Sequence, residues 1–301
     1  MIMEKKKIRG LIAPTVTPMD RHGEINLSAI DAYAEFLIQR GVQGVFLCGT
    51  TGESLLLDSE ERKKEAEAWM PYADRLKILV HVGSTSYKMA ADLAEHAQRI
   101  GAHAISAMGP CFLQPKRAEE LVAFNKLIAE KAPETPYYYY HIPGTSGVCV
   151  NMLDFLTLAD REIPTLTGIK YTSYNSMEMQ ECIDFKNRSY DILHGHDETL
   201  LTGLVLGATG GIGTSYNLSS PLYNRLIAAF EQGDLNRAVA LQAEAVKFIK
   251  VMIKYVNSVV SIKAMLNIMG IDCGPVRLPL QNLTSDEMKT LEKELKQFDW
   301  L

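Results

Sequence analysis

Apolar residues in this chain fall into short continuous runs that alternate with longer stretches of helical spacing. Ile8 to Val16 reads as a first strand, closed by Thr17-Pro18. Asn26-Leu27-Ser28 then opens a helix in which Ile30, Tyr33, Phe36 and Leu37 recur on one face, ended by Gly41. Val42 to Cys48 is a second strand. The Gly49 turn leads to a helix starting near Ser59, with the serine as its only cap because no acid stands three residues on. The alternation continues with strands at Leu76 to Val82, His103 to Met108, Tyr137 to His141, Gly168 to Tyr171, Asp191 to His194 and Ala208 to Ile212. Between them lie helices at Ser86 to Ile100, Ala118 to Lys131, Asn151 to Ala159, Met177 to Phe185 and Glu198 to Leu206.

Eight strand–helix units over roughly 220 residues fit an α/β fold of the (β/α)8 TIM-barrel type. No Gly-x-Gly-x-x-Gly follows the first strand, which removes the support for a dinucleotide fold. From Pro221 onward the pattern is helical only, at Leu222 to Gln232, Leu235 to Val256, Ser261 to Ile268 and Ser285 to Lys296. The expected division is a barrel over residues 1–220, then its last helix and a C-terminal helical extension over 221–301.

Composition narrows the function. Apolar residues make up 47% of the 301 and the net charge is −5, with both signs mixed along the chain. No basic field exists to hold nucleic acid or a membrane surface, so a small-molecule substrate is favoured. No run approaches the roughly 18 apolar residues of a membrane span, and Met1 to Lys7 is followed by no apolar leader core, so a cytoplasmic location is expected. The five cysteines are far apart and read as buried free thiols, and no metal-ligand spacing is present.

The chemistry centres on Leu166-Thr167-Gly168-Ile169-Lys170-Tyr171-Thr172-Ser173. If this is a strand, Lys170 stands at its exit, where burial would lower its pKa and free the amine to form a Schiff base with a ketone. Taken alone, the stretch favours the plainer reading of a lysine that reaches solvent. The other strand ends change that balance, because a parallel barrel delivers them all to one face. They supply Thr50 and Thr51, Tyr140, Lys170 and Thr172, Gly195, Asp197 and Glu198, and Gly213, Thr214 and Ser215. This set suits a keto acid: Lys170 for the imine, Tyr140 for proton transfer, Thr50 and Thr51 for the carboxylate. Plainer roles stay open, since the tyrosines could be strand packing, Glu53 could merely tie down its turn, and Asp197 and Glu198 could begin a helix. Alternation puts Tyr138 and Tyr140 on one face and Tyr137 and Tyr139 on the other.

At these residues the chain resembles the pyruvate-dependent class I aldolases, the dihydrodipicolinate synthase / N-acetylneuraminate lyase family, over nearly its whole length. Gly49-Thr50-Thr51-Gly52-Glu53 is similar to the family's carboxylate turn, Tyr140-His141-Ile142-Pro143 to its tyrosine motif, and Gly168-Ile169-Lys170 to the strand bearing the Schiff-base lysine. Lys170-Tyr171-Thr172-Ser173, Gly195-His196-Asp197-Glu198 and Gly213-Thr214-Ser215-Tyr216-Asn217 look like the sialic acid branch. The synthase branch carries an arginine where this chain has Thr145, and the sialic acid branch a serine where it has Thr214.

The resemblance implies reversible retro-aldol cleavage of a sialic acid to pyruvate and N-acetylmannosamine. Lys170 and Tyr140 would be catalytic, and Thr50, Thr51, Thr172, Gly195, Asp197, Glu198, Gly213 and Thr214 would bind substrate. It further implies a covalent Schiff base with no metal or organic cofactor, and a homotetramer. The alternatives are an aldolase for another 2-keto-3-deoxy sugar acid, a dihydrodipicolinate synthase, or a non-catalytic barrel that binds a sugar acid.

Overall fold

The computed structural model describes residues 7–255 and 257–301; Met1 to Lys6, and Val256 at the expected end of the long helix, lie outside them. Its eight strands are β1 (Gly10–Pro14), β2 (Gly44–Leu47), β3 (Lys77–His81), β4 (Ala104–Ala107), β5 (Tyr137–His141), β6 (Leu166–Tyr171), β7 (Asp191–His194) and β8 (Gly210–Ile212). Each pairs in parallel with its chain neighbours, and β8 closes on β1. The expected (β/α)8 barrel is therefore present. Its helices are α1 (Ile30–Gln39), α2 (Ser59–Trp69), α3 (Tyr87–Arg99), α4 (Ala118–Ala129), the one-turn α5 (Pro143–Ser146), α6 (Met152–Glu162), α7 (Ser176–Arg188), α8 (Leu200–Leu206) and α9 (Tyr216–Glu231). The extension comprises α10 (Leu235–Met252), α11 (Ser258–Ile268) and α12 (Ser285–Leu295).

Alternation along the strands splits the core into two layers. Ile12, Phe46, Leu79, Tyr138, Tyr140, Leu193 and Ile212 fill the barrel interior. Tyr137, Tyr139, Ile169 and Tyr171 face outward and join the larger cluster beneath the helices. The pair Tyr138 and Tyr140 is thus the inward one. His141 shares the outward parity; it is buried beside the Tyr171 ring at 5.0 Å, with Nε2 3.8 Å from Glu178.

Several local expectations are corrected. The cap of α2 is Asp58, one residue earlier than Ser59. Its side chain accepts from Glu61 N at 2.8 Å while Glu61 Oε2 accepts from Asp58 N, so a full capping box is present. Helix α9 begins at Tyr216, and Pro221 stands inside it; one backbone hydrogen bond is lost, but buried Leu218, Leu222, Tyr223 and Leu226 hold the helix to the barrel. Of the cysteines, Cys48, Cys182 and Cys273 are buried as expected, whereas Cys149 is exposed and Cys111 partly so, both on loops that follow strands or helices at the barrel rim. Among the described residues no helix is long and apolar enough to cross a membrane.

Candidate active site

Lys170 stands in register with Tyr140 on β5 and Leu193 on β7, so all three side chains enter the barrel. Its Nζ lies 4.0 Å from the centre of the Tyr140 ring and 4.1 Å from that of Phe46. Among the described residues no carboxylate forms an ion pair with it, and only 4% of its surface is exposed. Burial therefore pulls its pKa down to about 7, with the Asp197 carboxylate opposing the shift. An amine in this state is substantially neutral near pH 7 and available as a nucleophile.

The Tyr140 ring is held edge-on by Phe46 at 5.6 Å and by His81 at 5.8 Å. Its hydroxyl lies 3.4 Å from Thr50 Oγ1. Burial pushes the phenol up to about 12 against the opposing pull of the Thr50 and Thr172 hydroxyls, so it is neutral at pH 7 and suited to relaying a proton. Tyr138 points the same way but one layer lower, where its hydroxyl donates to Asp191 Oδ2 at 2.9 Å.

Thr50 to Gly52 forms a single tight turn after β2. The amides of Gly52 and Glu53 donate to the Gly49 and Thr50 carbonyls at 3.0 and 3.1 Å, while among the described residues no carbonyl takes those of Thr50 and Thr51. Two such amides with two adjacent hydroxyls are donors that can receive an anion. Thr51 Oγ1 also lies 2.9 Å from Thr214 Oγ1, which joins this turn to the end of β8. Thr214 thus supplies the cavity hydroxyl, and Ser215 is buried behind it with its amide donating to Asp197 Oδ2 at 2.7 Å. Glu53, with a left-handed φ of 61°, does tie down the turn: Lys263 Nζ donates to its Oε1 and Arg277 N to its Oε2, each at 2.7 Å.

Asp197 and Glu198 mark the opposite wall. The Asp197 backbone carbonyl accepts from Tyr223 at 2.8 Å and from Gln242 at 3.2 Å. Burial, with Glu198 adding to it, raises the Asp197 carboxyl pKa. Burial also acts to raise Glu198, but hydrogen bonds from His196 and Tyr174 outweigh it and hold that carboxyl well below the usual range. Tyr174 and His196 stack with ring centres 4.1 Å apart, and both reach Glu198 Oε1. Close approach explains two glycines. A Cβ on Gly195 would stand 2.0 Å from Thr172 Oγ1, and one on Gly213 2.6 Å from Asp197 Cβ.

A cavity of about 550 Å³ at the C-terminal mouth of the barrel brings together Thr50, Thr51, Tyr140, Lys170, Thr172, Gly195, Asp197, Glu198 and Thr214. Of the expected set only Gly213 does not line it, standing behind Asp197 instead. Sequence reasoning missed Tyr174 and His196, although both neighbour the motifs it used. It also missed the wall that Ile249, Lys250, Ile253 and Val259 supply from the extension, for which the sequence carries no local signal. Among the described residues no cluster of metal-ligating side chains occurs.

The model of the Dihydrodipicolinate synthetase family matches residues 7–298. The chain is 39% identical over 306 aligned positions to the N-acetylneuraminate lyase of Mus musculus, covering all of this chain and 96% of that one. Among solved structures it is similar to the Proteus mirabilis N-acetylneuraminate lyase, with a TM-score of 0.95 at 36% identity over 98% of this chain and 100% of that one. The native N-acetylneuraminate lyase of Aliivibrio salmonicida superposes equally well, with a TM-score of 0.95 at 36% identity over 98% of each chain.

Proposed function

The chain belongs to the dihydrodipicolinate synthetase family, and we propose that it catalyses the reversible cleavage of N-acetylneuraminate to pyruvate and N-acetylmannosamine. The observation that carries this reading is the buried Lys170 amine, without an ion-pair partner among the described residues and 4.0 Å from the Tyr140 ring, at the bottom of a cavity with an amide-rich turn at one end and two carboxylates at the other. It is a carbon–carbon lyase of the Schiff-base type and uses neither metal nor organic cofactor.

Lys170 Nζ attacks the C2 ketone of the open-chain sugar acid, and loss of water leaves a protonated imine. The substrate carboxylate rests on the amides and hydroxyls of Thr50 and Thr51. The neutral Tyr140 phenol accepts the C4 hydroxyl proton as it passes its own to that carboxylate. The C3–C4 electron pair moves into the imine, which releases N-acetylmannosamine and leaves an enamine on Lys170. Protonation at C3 and hydrolysis free pyruvate and restore the amine. Thr172, Gly195, Asp197, Glu198 and Thr214 hold the sugar half, with Gly213 giving Asp197 its room.

Thr145 lines the same cavity, so the position that would need a cation for the carboxylate of aspartate semialdehyde holds a neutral hydroxyl. That supports the sialic acid over the synthase substrate. A homotetramer working in the cytoplasm completes the reading. Lys170→Ala is its test: turnover is expected to vanish while the thermal unfolding transition is retained, and appreciable turnover in that variant contradicts the mechanism.

A further inference from the structure

Glu65, on the inward face of α2, is wholly shielded from solvent, yet it has no counter-ion among the described residues. The two cations that face it make their hydrogen bonds elsewhere, with Arg62 Nε left without a partner among the described residues. Lys263 Nζ binds Glu53 at 2.7 Å, and Arg62 donates to the carbonyls of His81 and Gly83 at 2.5 and 2.9 Å. Glu65 Oε1 has no hydrogen-bond partner among the described residues. For an ionised carboxylate in that setting the two cations would offset the desolvation cost only in part.

Hydrogen counting leads to the same place. Thr17 Oγ1 lies 2.8 Å from the Gly52 carbonyl and 2.8 Å from Glu65 Oε2. A hydroxyl has one hydrogen and a carbonyl none. If Thr17 donates to Gly52, the hydrogen between Thr17 and Glu65 belongs to Glu65. The reverse assignment strands the buried Gly52 carbonyl, for which no other donor is present among the described residues. Cys48 Sγ, 3.5 Å from Glu65 Oε2, completes the surroundings as a thiol.

We propose that Glu65 is a neutral carboxylic acid that positions the substrate-carboxylate turn: it donates to Thr17, and Thr17 donates to Gly52. The peptide after Gly52 is thereby fixed, and with it the free amides and hydroxyls of Thr50 and Thr51. The role rests on the reading of that turn as the carboxylate receptor. Gly52 sits tightly enough to transmit the constraint, since a Cβ there would lie 3.0 Å from Thr15 O and 3.2 Å from Thr17 Oγ1.

The ionisable groups around Glu65 are Arg62 on its own helix, Cys48 at the end of β2, Tyr33 on α1 and Lys263 on α11. Burial outweighs the cations and the contacts with the Thr17 hydroxyl and the Cys48 thiol, raising the carboxyl to about 7. Loss of its proton above that pH removes the donor to Thr17 and loosens the turn. The KM for substrate therefore rises with pH while kcat does not follow. Lys170 titrates in the same range with the opposite sense, since activity grows as its amine deprotonates, and that limb survives replacement of Glu65.

The test uses the full chain with N-acetylneuraminate as substrate, comparing the parent with Glu65→Gln, Thr17→Val and Thr51→Val. Infrared difference spectra of the parent are expected to show a protonated-carboxyl stretch near roughly pH 6 that fades towards roughly pH 8. Glu65→Gln, whose amide still donates to Thr17, is expected to lack the band and to show a low KM that no longer rises with pH. Thr17→Val is expected to have a KM roughly three- to tenfold higher at every pH, with kcat within about twofold. Absence of the band from the parent overturns the proposal. So does a normal KM in Thr17→Val when Thr51→Val has a raised one, which keeps the carboxylate turn but removes its support. A normal KM in Thr51→Val discards the turn reading and the proposal with it.

Discussion

Two residues in contact, with Lys170 Nζ 4.0 Å from the centre of the Tyr140 ring, carry opposite consequences of burial: Lys170 is drawn to about 7 and Tyr140 pushed to about 12. Each becomes the neutral species its step requires. Because protonated Lys170 cannot attack a ketone, the rate of imine formation with pyruvate is expected to rise about tenfold per pH unit below about 7 and to level above it. A flat rate through that range would show that the lysine is not the depressed amine described. Asp197 lines the other wall of the cavity, where the proposed reading sets the sugar half and not the pyruvyl half. Asp197→Ala is expected to raise the KM for the sugar acid by an order of magnitude or more while leaving imine formation with pyruvate within about threefold. Equal loss of both would remove Asp197 from the specificity role.

At the scale of elements, what was legible in the sequence and what was not divides along a physical line. Strand identity and strand ends could be read because alternation and parallel topology are local rules: Tyr140 and Lys170 face the interior for the same reason that Tyr137 and Ile169 do not. The start of α2 at Ser59 was legible, but its cap was misread by one residue because Asp58 and Ser59 are both good caps, and only the partner at Glu61 distinguishes them. Long-range polar contacts left no such mark. Lys263 and Glu53 are 210 residues apart, and nothing near either announces the pair. That pair joins α11 to the turn after β2 with both side chains almost completely buried. Lys263→Met leaves the Glu53 carboxylate half-satisfied and is expected to cost about 3–5 kcal/mol in urea unfolding. A loss below about 1 kcal/mol would mean that the Arg277 amide and solvent suffice.

At the scale of the whole molecule, the barrel and its extension share one function. The closed sheet gathers Thr50 and Thr51, Tyr140, Lys170 and Thr214 from the ends of β2, β5, β6 and β8, the residues proposed as anion receptor, proton relay and nucleophile, while α10 and α11 roof the cavity and brace the turn through Glu53. The fold class followed from the alternation alone, but the roofing role of the extension did not, because helical periodicity states which face is apolar and not what that face covers. The central claim is that a sialic acid is cleaved through an imine on Lys170. Borohydride trapping during turnover of N-acetylneuraminate, followed by mass spectrometry of the peptide containing Lys170, tests it most directly. A reduced pyruvyl adduct on Lys170 is the predicted result; the absence of any adduct from N-acetylneuraminate, with one formed from pyruvate, would contradict the substrate, and no adduct from either would contradict the lysine chemistry.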